Sequence, residues 1–107
     1  MYETAIRIFS DFEEERFGND ENVGNTHKYF ECDLLIIDDL GTEMTTQFTT
    51  SVLYNIVNTR MMAEKPTIIS TNLLPDMLEK RYSPQISSRI MGNYRLIKFV
   101  GNDIRRI

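Results

Sequence analysis

The chain has 107 residues, of which 41% are hydrophobic, and a formal net charge of −4. That length allows one small domain, and the hydrophobic content is sufficient for a packed core. Its single cysteine, Cys32, excludes an internal disulfide and a zinc site made of cysteines alone. No apolar run has the length of a membrane span, and no signal-peptide pattern opens the chain. We therefore expect a cytoplasmic protein without a membrane partner.

Charge is unevenly distributed along the chain. Residues 1–43 contain twelve acidic and three basic residues, whereas residues 44–107 contain four acidic and nine basic ones. The acidic first half disfavours a nucleic-acid surface there, because phosphates would be repelled. The arginines of the second half are either contacts to phosphates and carboxylates or solvated charges on helix surfaces.

The first predicted element is an amphipathic helix over residues 3–17. Apolar residues recur at helical spacing, and Arg7, Asp11 and Glu14 fall on the opposite side. The apolar members are Ala5, Ile8, Phe9 and Phe12. Residues 18–28 are polar and contain glycines, which predicts a loop.

A buried strand is predicted over residues 33–38. The stretch LLIIDDLG, residues 34–41, runs four aliphatic residues directly into two aspartates. Such an uninterrupted run is typical of a strand buried on both faces of a parallel sheet. Asp38 and Asp39 then lie at the carboxyl end of the strand, where open α/β sheets bind ligands. Adjacent carboxylates repel unless a cation or proton lies between them, so the pair predicts a magnesium site, with capping of the next turn as the alternative.

One helix and one strand follow the acidic pair. The helix is predicted over residues 46–63, and the strand over residues 67–70, ending at Thr71-Asn72. The apolar stripe of the helix contains Phe48, Val52, Leu53, Ile56, Val57 and Met61. Because strands separated by helices imply right-handed crossovers, the fold class is α/β with a parallel sheet.

The last third of the chain predicts two short helices and a strand. One helix covers residues 75–82, and another opens at Ser83 and Pro84 and ends before Gly92. Residues 94–100 alternate and predict a third strand. Three strands are few for this architecture, which normally has a strand and a phosphate-binding loop further upstream. We therefore expect a truncated domain.

In chain order, these motifs resemble a P-loop ATPase core of the AAA+ class without its front end. LLIIDD resembles a Walker B strand, which implies ATP and Mg²⁺ as cofactors. The resemblance implies that Asp38 belongs to the magnesium site, through a metal-bound water, and that Asp39 is the general base. Many AAA+ proteins have glutamate at the second position, so Glu43 is a substitute candidate. Its alternative role is that of a first-turn acid near a helix N-terminus.

Two further motifs extend the resemblance. ISTN, residues 69–72, resembles sensor 1, because the Asn72 amide can donate to a phosphate oxygen and accept from water. One helix separates it from the acidic pair, which places the two strand ends side by side. SPQISSRI, residues 83–90, resembles the box VII element, which implies that Arg89 is an arginine finger for a neighbouring subunit. A surface salt bridge is the alternative for Arg89, and Arg81 is a second finger candidate.

The combination of TAIRIF, LLIIDDLGTE, ISTN, SSRI and GNDIRR resembles the DnaC/DnaI-type helicase loaders and the related IstB-like transposition helpers. In GNDIRR, Arg105 could act as a sensor 2-like residue facing nucleotide. For residues 1–107, the resemblance implies a partial AAA+ domain from the Walker B strand to box VII and the C-terminal strand. The implied partners are the replicative DNA helicase, single-stranded DNA, and further copies of the protein through the arginine finger. Any DNA contact is expected to be weak and to involve Arg7, Lys28 or the basic second half.

The chain departs from this family in one respect. It contains no G-x-x-x-x-G-K-[ST] sequence, so the backbone amides and the lysine that cradle phosphates are missing. The chain by itself is therefore expected to bind ATP poorly. A truncated helicase loader, a transposition helper and a degenerate, non-enzymatic interaction module remain open. A receiver domain is disfavoured, because only two further strands follow the acidic pair and no separate strand-end aspartate supplies a phosphorylation site.

Overall fold

The computed structural model describes residues 1–17 and 26–93. These residues form an α/β fold with a parallel sheet and flanking helices, as the alternation of strands and helices predicted. The elements are β1 (Tyr2–Thr4), α1 (Ala5–Phe17), α2 (His27–Glu31), β2 (Leu35–Leu40), α3 (Gln47–Met62), β3 (Thr67–Thr71), α4 (Pro75–Arg81) and α5 (Pro84–Asn93). The predicted strand over residues 94–100 lies outside the described residues.

The sheet has the strand order β1-β2-β3, and both neighbouring pairs are parallel. Tyr2 pairs with Ile36, and Ile36 in turn pairs with Ile68. The prediction missed β1, because the predicted helix began at residue 3 and the observed one begins at Ala5. A strand of three residues is too short to show a period of its own. It forms because β2 offers it hydrogen-bond partners, as in the 2.8 Å bond from the Ile36 N–H to the Met1 carbonyl.

The helix boundaries follow local chemistry. Thr46 caps α3 through a capping box, in which its hydroxyl accepts from the Thr49 N–H at 3.1 Å and its own N–H donates to the Thr49 hydroxyl at 2.8 Å. This helix matches its predicted bounds to within one residue. Two other boundaries differ from the prediction. The short helix α2 was not predicted, and its first two residues fall in the predicted loop over residues 18–28. The helix α5 continues one residue past Gly92, because one glycine weakens a helix without ending it.

The core lies between the helices and one face of the sheet. Leu35 and Ile37 of β2 are buried, together with four residues of the predicted α3 stripe. These four are Val52, Leu53, Ile56 and Val57. Phe48 and Met61, the two ends of the stripe, are only half-buried.

Asp11 is buried, contrary to its predicted place on the solvent side of α1. Its carboxylate accepts a hydrogen bond from the Tyr29 hydroxyl and pairs with Arg7 at 3.3 Å and Lys28 at 3.9 Å. Burial and this hydrogen bond raise the pKa of the Tyr29 phenol above its usual range. The helical pattern of α1 could not anticipate this, because α2 supplies the cover over Asp11.

Arg60 is fully buried and was not predicted as a core residue. Its guanidinium donates to the carbonyls of Cys32 at 2.8 Å and Pro66 at 2.9 Å, and to the Thr67 hydroxyl at 2.8 Å. It also reaches the Tyr29 carbonyl, at 3.2 Å. Arg60 therefore joins α3 to the end of α2 and to the start of β3.

The other face of the sheet is largely uncovered in the part of the chain that the structure describes. Tyr2 is 60% exposed and Ile68 52% exposed, although both lie in register with Ile36. Parallel sheets are normally covered on both faces. Ile36, the residue of β2 on this face, is half-buried, so the prediction that β2 is buried on both faces was wrong for the described residues. Among these residues, no helix is long and apolar enough to cross a membrane.

Candidate functional site

Asp38 lies at the carboxyl end of β2, where contacts from both neighbouring strands hold its side chain. Its Oδ2 accepts a hydrogen bond from the Tyr2 hydroxyl of β1. Its Oδ1 accepts from the Ser70 hydroxyl of β3 at 2.7 Å. These two hydrogen bonds hold the pKa of the Asp38 carboxyl below its usual value, because they stabilise the ionised form. Asp38 is therefore an oriented, ionised carboxylate.

Asp39 follows in a left-handed backbone conformation, with φ of +57°. Its N–H donates to the Ser70 hydroxyl at 3.1 Å, and its carbonyl accepts from the Thr42 hydroxyl at 2.8 Å. The pairing of β2 with β3 is irregular between Ile37 and Leu40, so the strand is kinked at Asp39, one residue before its end. The Asp39 side chain is exposed.

The end of β3 lies beside the acidic pair, as the spacing predicted. Leu40 pairs with Thr71, and the Thr71 hydroxyl donates to the Leu40 carbonyl at 2.6 Å. Asn72 follows Thr71 directly and is exposed. The two predicted polar strand ends therefore lie at the carboxyl ends of two adjacent strands.

Sequence reasoning missed Tyr2 and Ser70, the two side chains that contact Asp38. Ser70 could have been found, because it lies two residues beyond Ile68 and therefore on the same sheet face as Ile36 and Asp38. Tyr2 could not have been found in this way, because the strand that contains it was not predicted from the sequence.

Glu43 is 5% exposed and faces the protein interior. Its Oε1 accepts from the Gly41 N–H at 2.8 Å, and its Oε2 accepts from the Tyr82 hydroxyl. The alternative role as a first-turn acid of the following helix was wrong, because α3 begins only after the Thr46 cap. The carboxylate of Glu43 is thus shielded from solvent, whereas the side chain of Asp39 is exposed.

The predicted arginines lie in different places. Arg89 is half-buried in α5, a helix that packs mainly against α3 and α4. Arg81, the second finger candidate, is also half-buried, and its Nη2 donates to the Glu43 carbonyl at 2.6 Å. Arg105 lies outside the described residues. The structure thus brings Arg81 into contact with the turn that follows β2.

The residues at the strand ends fit a magnesium site by their chemistry. Magnesium is usually bound by one or two carboxylates together with waters and phosphate oxygens. Each Asp38 oxygen accepts one hydrogen bond from the protein, which leaves acceptor capacity for a metal-bound water. In residues 1–17 and 26–93, no group of three or more His, Cys, Asp or Glu residues could hold a metal ion without other ligands.

The parallel sheet with its flanking helices is an α/β fold that solved structures of DNA-replication proteins share. A DnaC helicase loader has this fold, with a TM-score of 0.72 and 21% identity over 89% of this chain and 58% of that one. A DNA replication initiation factor matches with a TM-score of 0.67 and 25% identity over 98% of this chain and 32% of that one. AMPPCP-bound DnaA from Aquifex aeolicus matches with a TM-score of 0.69 and 24% identity, again over 98% and 32%.

These likenesses establish the fold. The chain spans 58% of the length of the DnaC chain and about a third (32%) of the other two. Neither a protein-family model nor a curated protein sequence matches the chain.

Proposed function

We propose that residues 1–107 are the C-terminal part of the ATPase domain of a DNA-replication protein of the helicase-loader type. The observation that carries this proposal is the group of polar side chains at the carboxyl ends of β2 and β3. Asp38 and Asp39 lie at the end of β2, and Asn72 follows the end of the adjacent strand β3, in a fold shared with a DnaC helicase loader and with DnaA. Carboxylates and an amide at adjacent strand ends are the groups that ATP hydrolysis uses in P-loop enzymes.

Each of these side chains has a separate role in the proposal. Tyr2 and Ser70 keep Asp38 ionised and fixed, so that it can hold a magnesium-bound water. Asp39 is the general base for the attacking water, and Asn72 donates to a phosphate oxygen. Magnesium bound together with ATP would neutralise the charge of the phosphates.

The open surface of the sheet supports the proposal that the ATPase domain contains a further layer. Tyr2 and Ile68 leave apolar surface exposed, and β3 is an edge strand among the described residues. A strand paired with the free edge of β3, followed by a phosphate-binding loop and a helix packed on the open face, would supply both the missing cover and the missing amides. An in-frame strand–GxxxxGK[ST]–helix sequence upstream of Met1 would be the simplest observation in its favour.

The proposed partners are those of the helicase loaders that the chain resembles. A protein that resembles the DnaC helicase loader is expected to bind the replicative DNA helicase and single-stranded DNA in the cytoplasm. Self-association through Arg89 would complete the nucleotide site of a neighbouring copy. The IstB-like transposition helper shares this ATPase chemistry, so binding to the purified helicase is the measurement that separates the two.

Replacing Asp38 tests the proposed nucleotide site. In the longer protein, with ATP and magnesium, we expect Asp38→Asn to nearly abolish ATP turnover, because the amide cannot hold the metal-bound water as a carboxylate does. The matched control is Asp33→Asn, which changes an exposed aspartate before β2 and should keep the wild-type rate. Phosphate release measured at saturating ATP is the assay.

Two results would contradict the proposal. Unchanged turnover in Asp38→Asn would remove the metal-site role of Asp38. An absence of turnover in a wild-type protein that contains a phosphate-binding loop would favour the degenerate interaction module instead.

A further inference from the structure

The turn from Asp39 to Glu43 is attached to α4 by a cluster of buried contacts. This cluster, hereafter the Glu43 cluster, consists of Glu43, Tyr82 and Arg81. The Tyr82 hydroxyl donates to Glu43 Oε2, and the Arg81 guanidinium donates to the Glu43 carbonyl at 2.6 Å. Both the side chain and the backbone of Glu43 are therefore bound from the end of α4.

Burial makes these contacts strong. Glu43 is 5% and Tyr82 7% exposed, so water competes little for their hydrogen bond. Burial and the contact with Glu43 raise the pKa of the Tyr82 phenol above its usual range, and the nearby Arg81 opposes part of that increase. The phenol therefore remains a hydrogen-bond donor at neutral pH.

The backbone of the turn contains one residue with a side chain, Asp39, in a sparsely populated conformation, and a glycine at positive φ. Asp39 has a φ of +57° and Gly41 a φ of +108°. A β-carbon at position 41 would lie 2.8 Å from the Cδ1 of Leu73, so this part of the chain is also in close contact with the loop after β3. Sparsely populated conformations of this kind persist only where surrounding contacts fix them. Glu43 Oε1 provides one such contact by accepting from the Gly41 N–H at 2.8 Å.

We propose that Glu43 is a positioning residue, which fixes the turn that carries Asp39 by joining it to Tyr82 and Arg81. The inference rests on the proposed function, because it assigns the orientation of the general base to this cluster. Glu43 does not touch the reacting atoms. It acts through Gly41 and the backbone that leads back to Asp39.

Three substitutions and a control test the inference in the longer protein. Glu43→Ala removes both side-chain contacts, and Tyr82→Phe removes one of them. Glu43→Gln keeps the contact with Gly41, because its amide oxygen can accept from the Gly41 N–H, and it reverses the contact with Tyr82, because its NH₂ group can donate to the Tyr82 oxygen. Glu79→Ala, at an exposed glutamate of α4, is the matched control and should behave as wild type.

The expected pattern separates positioning from other roles. Glu43→Ala should lower kcat for ATP by roughly 10- to 100-fold with little change in KM, because small misplacements of a catalytic group cost up to about 10²-fold. Tyr82→Phe should show a smaller loss of the same kind. Glu43→Gln should retain most of the wild-type kcat. If Glu43→Gln were as inactive as Glu43→Ala, the contact with Gly41 would not suffice to fix the turn, and the positioning role would be wrong.

A second readout does not depend on ATP turnover. In the nucleotide-free protein, amide hydrogen exchange at Gly41 and Thr42 should accelerate at least about tenfold in Glu43→Ala, while Leu35 and Ile37 in β2 keep their protection. Unchanged exchange at Gly41 would overturn the inference, whatever the turnover. A wild-type protein without ATPase activity would instead refute the proposed function and the catalytic part of this inference, and exchange would still report whether Glu43 fixes the turn.

Discussion

Asp39 shows how backbone conformation selects a residue at the candidate site. Its φ of +57° lies in the left-handed region, which aspartate and asparagine adopt more readily than other residues with a side chain. In the proposed function Asp39 is the general base, and its side chain is shorter than the glutamate that many AAA+ proteins use. A left-handed backbone favours aspartate over glutamate at such a position. The proposed role of the Glu43 cluster is to fix the turn on which the reach of Asp39 depends.

Arg89 has a proposed role that can be tested by mixing two inactive variants. A finger that acts on a neighbouring copy completes a site built by that copy's Asp38. Arg89→Ala should therefore leave ATP binding by the longer protein close to normal and lower turnover by about 10³-fold or more. Mixing it with Asp38→Asn should restore part of the activity, because one variant has an intact nucleotide site and the other an intact finger. The measurement is ATP turnover as a function of the mixing ratio.

Either of two outcomes would exclude a finger acting in trans. If Arg89 only forms a surface salt bridge, the single variant keeps its turnover, since exposed ion pairs contribute little. If it acts within its own chain, the single variant is inactive and mixing restores nothing. Lys80→Ala, at an exposed residue of α4, is a control that should not affect turnover.

Some residues of the candidate site were predictable, and others were not. Asp38, Asp39 and Asn72 follow directly from aliphatic runs that end in polar residues, and their adjacency follows from the helix between them. Tyr2 and Glu43 were not predictable, because their roles depend on partners that are 36 and 39 residues away in the sequence. Contacts over such separations leave no periodic signal.

At the scale of the elements, Arg60 is the residue outside the candidate site whose hydrogen bonds join three elements of the fold, namely α2, α3 and β3. Its buried guanidinium donates to carbonyls at the end of α2 and before β3. We expect Arg60→Ala to lower the free energy of unfolding by about 3 kcal/mol or more, because several buried carbonyls lose their donor at once. Urea unfolding followed by circular dichroism measures this. Arg60→Lys should fall between alanine and wild type, since an ammonium cannot reproduce the planar fork.

The control for Arg60 is Lys80→Ala, which truncates an exposed basic side chain and should change the free energy of unfolding by less than about 0.5 kcal/mol. Equal losses in Arg60→Ala and Lys80→Ala would contradict the structural role of Arg60.

Elements with local signals were predicted more accurately than those without. The bounds of α3 were predictable from its apolar stripe and from the threonines at its start. Both β1 and α2 are short, with three and five residues, and were missed, because tertiary contacts rather than local preference stabilise them. The open face of the sheet was not predictable either, since an aliphatic run indicates burial without showing what covers it.

For the whole molecule, the charge distribution bears on DNA binding. Arg7 and Lys28, two of the predicted DNA contacts, both pair with the buried Asp11, and the acidic Glu13 and Glu14 lie close by on α1. We expect this chain to bind single-stranded DNA with a Kd no tighter than about 1 μM at physiological salt. Affinity should fall steeply between about 50 and about 200 mM salt. Fluorescence anisotropy with a labelled oligonucleotide measures both.

Neutralising acidic residues distinguishes a local effect from that of overall charge. Glu13→Gln should strengthen binding if α1 lies near the DNA, whereas Glu79→Gln on α4 changes the net charge equally and controls for it. A salt-insensitive, nanomolar complex of the isolated chain with single-stranded DNA would contradict the prediction.

The edge position of β3 also has a consequence for how copies of this chain behave in a cell. Among the described residues, β3 pairs on one side only, and Ile68 leaves apolar surface beside the free edge. Strand edges of this kind are templates for uncontrolled pairing and aggregation. Whatever covers the edge in the working protein therefore also protects it from aggregation, so any event that strips the cover away would turn the chain into a substrate for chaperones and proteases.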